Sequence, residues 1–174
     1  MSGVTLALRF RAHDIRMLGA STLGSFVVLW SALIFWLSAQ PSRSDESGGS
    51  AVHLLLMNAG HAPLFGIWAA GAAFYLACKT PRPLPDISFA LKAVVATLVF
   101  GAVDEIHQYF VPGRTSSWTD VATDAIGAVI ALYCLRYVAS PRSTAFGLLI
   151  RTFLGIVFML GSGAVATWFD GMAA

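Results

Sequence analysis

The chain has 174 residues, 57% of them hydrophobic and only 11% charged, with a mean hydropathy of +0.73. At roughly 150 residues per domain the length excludes a multi-domain machine and predicts one domain over 1–174, while a soluble domain would carry about 25% charged residues and a disordered chain the reverse balance. A formal net charge of +2 is too small to suggest nucleic acid, so what informs is where the charges sit.

Five apolar runs follow one another, at about 18–39, 52–77, 88–110, 117–138 and 144–168. Each is close to the ~20 residues that a helix needs to cross ~30 Å of hydrocarbon, and backbone groups in lipid must bond internally, which makes the runs helices. The predicted class is therefore all-α, a polytopic membrane bundle. Nine basic residues share one side of this threading: Arg9, Arg11, Arg16, Lys79, Arg82, Lys92, Arg136, Arg142 and Arg151. Arg43 and Arg114 remain for the other, so the positive-inside rule puts the N-terminus in the cytoplasm and, after five crossings, the C-terminus outside. The first run is longer than the 7 to 15 residues of a signal-peptide core, and Leu37 spoils a small-x-small cleavage site, which predicts an uncleaved helix. Lys92 and Arg151 are expected to reach the cytoplasmic headgroups along their apolar stems. Cys78 and Cys134 show no metal or redox spacing and fall near the reducing side, as small apolar fillers. The polar stretch from Pro41 to Ser50 reads as a flexible external loop.

Chemistry-bearing residues gather at the outer ends of the spans. Span one ends with Ser38 and Gln40; span two begins with His53, Asn58 and His61; span three ends with Asp104, Glu105, His107 and Gln108; span four begins with Asp120 and Asp124. Asp104 precedes Phe110 by six residues and Asp124 follows Trp118 by six. At 1.5 Å per residue both therefore lie about 9 Å below the outer boundary, where they can meet. With about 100° per residue, Gly101, Asp104, His107 and Gln108 share one stripe of span three, with Glu105 at its edge. Ser117, Asp120, Asp124, Gly127 and Ala131 form a stripe of span four, polar outside and small within, and Ala62, Gly66 and Ala70 make a small-xxx-small packing row below His61. Pro63 cannot donate to the carbonyl of Ala59, so the helix near His61 is expected to kink or only to begin there.

Each acid near mid-depth costs about 2.5 to 3.5 kcal/mol on insertion scales, so this cluster needs partners among itself, water or a ligand. Local chemistry explains part of it: Ser117-x-x-Asp120 has the form of a capping box opening span four, and Pro112-Gly113 fits the centre of a type II turn. Such a turn holds Arg114 over the polar stripe, where its guanidinium can grip a carboxylate or phosphate, or pair with Asp120 or a lipid headgroup. His107 and His61, with Asp104 or Glu105, offer metal-ligand chemistry, but no His-Glu-x-x-His run or three-ligand spacing marks a set. Interhelical hydrogen bonds are the expected state, with no metal and no cofactor.

The run Asp104-Glu105-Ile106-His107-Gln108-Tyr109-Phe110-Val111-Pro112-Gly113-Arg114, followed by Ser117, Asp120 and Ala-Ile-Gly-Ala at 125–128, resembles the signature of the VanZ-like family of bacterial membrane proteins. Leu37-Ser38-Ala39-Gln40-Pro41 and the His61 helix are similar to that family's other polar stretches, and the resemblance covers about 35–132. The family usually has Asn where this chain has Asp124, and often Lys where it has Asn58. What the resemblance implies is a small multi-pass protein of the bacterial cytoplasmic membrane, related to a low-level teicoplanin resistance factor, with no settled biochemical activity.

The function expected from residues and resemblance together is an outward-facing pocket of His61, Asp104, Glu105, His107, Gln108, Arg114, Asp120 and Asp124 that binds an amphiphile. A membrane lipid, a lipid-linked cell-envelope intermediate or a lipoglycopeptide-type antibiotic would suit it, with Arg114 on an anionic group and His107 adjusting charge near neutral pH. The alternative is a membrane-embedded enzyme acting on a lipid phosphate or ester, for which no Ser or Cys nucleophile motif is present. A proton relay would need acids in the cytoplasmic half of the spans, where they are missing. In a purely structural role, the charges would only lock spans three and four together.

Overall fold

A computed structural model of the chain describes residues 19–41, 51–79, 86–114 and 116–173. It contains five helices: α1 (Ala20–Ser38), α2 (Ala51–Cys78), α3 (Ile87–Tyr109), α4 (Trp118–Val138) and α5 (Ala145–Ala173). All five are long and apolar enough to span a membrane. Their bounds follow the apolar runs, with α5 continuing past the expected 168 because its sequence stays apolar to Phe169. Asp86 opens α3 by accepting from Ser88 N (2.8 Å) and Ser117 opens α4 by accepting from Thr119 N (3.3 Å), each satisfying a donor that the first helical turn leaves free. The N-terminal arm with Arg9, Arg11 and Arg16, the loop at 42–50 with Arg43, and Arg82 lie outside the described residues.

Helix α2 is the axis of the bundle and packs against all four others, most extensively against α4. Small residues make that contact possible. A Cβ on Gly66 would stand 2.9 Å from the Gly127 carbonyl oxygen and 3.3 Å from Ala131 Cβ, and one on Gly127 would overlap the Ala62 carbonyl. Backbones this close gain dispersion contacts that lipid cannot match, which drives helix association in a bilayer. Phe65, Trp68, Ala69 and Ala72 of α2 meet Ile34 of α1, Ala93 of α3 and Ala128 and Leu132 of α4 in the central core. Trp30 Nε1 donates to Leu64 O (2.9 Å) and Trp68 Nε1 to Ser31 Oγ (2.8 Å), so both indole donors are satisfied between α1 and α2.

Pro63 neither begins nor ends a helix. The helix runs from Ala51 through it to Cys78, close to the expected span of 52–77, so of the two readings for the segment near His61 a helix start is excluded; only the hydrogen bond to Ala59 O is forfeited, and the packing of α2 on four neighbours holds the segment helical. Leu29 on α1, Leu91, Val95 and Val99 on α3, and Phe153 and Phe158 on α5 point outward, a continuous apolar exterior suited to lipid. Trp36, Trp118 and Trp168 are all exposed at one end of the bundle, with Tyr109 and Phe110, forming the aromatic belt of one interface. At the opposite end lie Lys79, Arg136, Arg142 and Arg151, the last with its guanidinium 3.7 Å from the Tyr137 ring centroid.

Candidate functional site

The polar residues converge at the aromatic-belt end, where α1 and α3 finish, α4 begins, and α2 passes between them. The turn joining α3 to α4 has the expected geometry: Gly113 has φ +75°, the value a type II turn demands, and Arg114 N donates to Val111 O (3.1 Å). It folds Arg114 back over α3, where Nη2 donates to Gln108 Oε1 (2.7 Å).

Gln108 is the hub of the site. Its Nε2 donates to Asp104 Oδ2 (2.9 Å) and to Glu105 Oε1 (3.2 Å), so one amide holds two buried carboxylates while Arg114 orients that amide. Ser38 Oγ from α1 donates to the same Asp104 oxygen (2.7 Å). Glu105 Oε2 accepts from the backbone N–H of Ser117 (2.7 Å), fixing the entry of α4 against α3. The Ser117-x-x-Asp120 pattern therefore marks the helix start correctly, while the Ser117 amide reaches across to Glu105. Asp120 is itself buried in the first turn of α4, where an acid suits the helix dipole.

Asp124 is fully buried and faces α2, where His61 Nδ1 lies 3.1 Å from its Oδ1. Its Oδ2 sits against Gly101, so close that a Cβ there would stand 2.5 Å from it. Two carboxylate oxygens in this cluster, Asp104 Oδ1 and Asp124 Oδ2, have no hydrogen-bond partner among the described residues. His61, Asp104 and Glu105 each offer a ligand atom, and these atoms lie within 4.8 Å of one another. A cavity of about 310 Å³ opens beside them, its polar wall made by Ser38, Gln40, His61, Asp104 and Arg114 and its apolar wall by Ile34, Leu37, Leu64 and Phe65.

Of the eight residues expected from sequence, the structure joins Asp104, Glu105, Gln108 and Arg114 in one network and His61 with Asp124 in an adjacent pair, and buries Asp120 in the first turn of α4. His107 stands apart: its ring packs on Phe35 of α1 at 5.1 Å between centroids, and its Nε2 has no partner among the described residues. Ser38 is the member that the site assignment left out, although its place in Leu37-Ser38-Ala39-Gln40-Pro41, at the same end as the acids, was the available signal.

A family model described as VanZ/LLP1 matches residues 23–139, well over half of the chain and all of the site. The chain belongs to the VanZ-like family. No curated protein and no solved structure matches it. In this VanZ-like chain Asp124 and Asn58 each tie α2 to a neighbouring helix. Asp124 supplies the charge that pairs with His61. Asn58 donates through Nδ2 to Thr167 Oγ1 of α5 (3.1 Å), using the position to tie α2 to α5. The multi-pass bundle and the family together make this a membrane protein.

Proposed function

We propose that the 310 Å³ cavity is the binding site for the polar head of a lipid-linked cell-envelope intermediate or a lipoglycopeptide-type ligand, and that it faces outward. The observation that carries this reading is a polar cavity wall, with a guanidinium at its mouth, set into an otherwise apolar bundle at its aromatic-belt end. Arg114 commits one of the five N–H donors of a guanidinium to Gln108, and the others suit a phosphate or carboxylate of the ligand. Lys79, Arg136, Arg142 and Arg151 gather at the far end, which supports a cytoplasmic position for that end and an external one for the cavity. The host would then be the bacterial cytoplasmic membrane, and ligand capture would underlie a low-level glycopeptide resistance.

No observation favours an enzyme. Ser38, a hydroxyl at the cavity, donates to an Asp104 oxygen that Gln108 also engages, and Cys78 and Cys134 lie toward the opposite end of α2 and α4. The larger cavity between α4 and α5, about 520 Å³, is lined by Ile126, Val157, Phe158 and Val165 with the hydroxyls of Thr119 and Thr123, a place for hydrocarbon rather than chemistry.

Native mass spectrometry of purified protein with a polyprenyl-linked cell-wall precursor tests the proposal. Arg114→Ala is expected to weaken retention of the precursor about tenfold, the equivalent of one charge-assisted hydrogen bond of ~1.5 kcal/mol, and to lower the melting temperature because buried Gln108 Oε1 loses its donor. Equal retention by the variant and the parent, or no preference for the precursor over bulk phospholipid, would contradict it.

A further inference from the structure

We propose that His61, Asp104 and Glu105 bind one divalent transition-metal ion, of the zinc or manganese class, at the inner wall of the cavity. The three donors come from two helices, so no spacing along the chain announces them, yet packing of α2 on α3 brings one ligand atom of each within 4.8 Å of the others. Metal–ligand bonds of about 2.1 Å need donors roughly 3 to 3.5 Å apart, a closure within reach of side-chain torsions on fixed helices.

Independent observations point to a cation at this place. Asp104 is fully buried, and while its Oδ2 takes hydrogen bonds from Ser38 and Gln108, its Oδ1 has none among the described residues. A buried carboxylate oxygen without a donor is a costly arrangement that a metal bond resolves. Gln108 holds Asp104 and Glu105 side by side, and the guanidinium of Arg114 is directed at that amide rather than at either acid, so the paired negative charge has no direct cationic partner in the network. A divalent ion supplies one.

Asp124 completes the arrangement. A neutral His61 that donates Nδ1–H to Asp124 Oδ1 would present the Nε2 lone pair to the ion, and a carboxylate behind a histidine is the usual way that proteins orient and strengthen such a ligand. Glu105 keeps free lone pairs beyond the hydrogen bonds to Gln108 and Ser117. One nitrogen and two carboxylates, with no thiolate, select zinc or manganese over soft metals, and three protein ligands leave positions open. His61 and Asp104 both line the cavity, so the ion has an entry route and its open positions face the space where a headgroup would lie.

The test is metal uptake by chelator-stripped full-length protein in detergent, without lipid, by equilibrium dialysis against Zn²⁺ and Mn²⁺ with elemental analysis. The expected result is one ion per chain for the parent and binding at least about a hundredfold weaker for Asp104→Asn and Glu105→Gln, which keep the shape and most hydrogen bonds of the site. Thermal unfolding run in parallel should show added ion raising the melting temperature of the parent and leaving Asp104→Asn unmoved. Absence of stoichiometric uptake by folded parent protein, or equal uptake by both variants, would overturn the proposal. Because no lipid is present, either result stands apart from the fate of the headgroup-binding proposal.

Discussion

Gly127→Ala is expected to unseat α4 from α2 and to lower stability by about 3 kcal/mol, the upper end of what overpacking costs, because the added methyl meets backbone rather than a side chain that can turn aside. The new Cβ would overlap the Ala62 carbonyl, and Ala62 stands one residue after His61. Any relief by separation of the helices therefore also pulls His61 away from Asp124. Gly161→Ala is the matched control, since nothing lies within 4 Å of its added methyl and the helix gains roughly 0.5 to 1 kcal/mol from a better former. Thermal unfolding in a mild detergent should separate the two variants in opposite directions. A Gly127→Ala protein that melts with the parent would mean that α2 and α4 do not approach as closely as described.

His61→Ala is the second large effect. It leaves the fully buried Asp124 without the hydrogen bond from His61, and a buried carboxylate that loses its partner costs about 3 kcal/mol. The double variant His61→Ala with Asp124→Ala removes the stranded charge, so it should recover much of that loss instead of adding to it. The measurement is the double-mutant cycle, with the coupling expected to exceed about 1 kcal/mol. Strict additivity would show that the two side chains do not meet.

Most of the bundle is legible because each crossing is an apolar run of membrane length between polar breaks, and the small residues at 62, 66, 127 and 131 mark packing faces, although the sequence does not say that α2 and α4 are each other's partners. Depth was legible too: counting 1.5 Å per residue from Phe110 and Trp118 brought Asp104 and Asp124 to one level, and both are buried in the same cluster. Angular position misled at two neighbours. The 100° rule placed His107 on the acidic stripe and Glu105 at its edge, whereas Glu105 is 3% exposed inside the network and His107 packs on Phe35. Helical spacing gives the direction of a side chain but not the element standing there. The end of α4 supplies the Ser117 amide on one flank of the stripe, and α1 supplies an aromatic ring on the other. That His61 and the acids share one recess is legible, but the direct pairing of His61 with Asp124 is not, because it depends on how α2 settles against α4.

The central claim, that a recess built from separate helices receives the ligand, is tested most directly at Gly60. This residue lines the cavity, and a Cβ added to it meets nothing within 4 Å, so Gly60→Phe adds bulk at the cavity wall from an unobstructed Cβ. Measured by native mass spectrometry with the polyprenyl-linked precursor, the folded variant should lose at least about tenfold in precursor retention. A folded Gly60→Phe protein that retains the precursor as the parent does would place the ligand elsewhere and contradict the account.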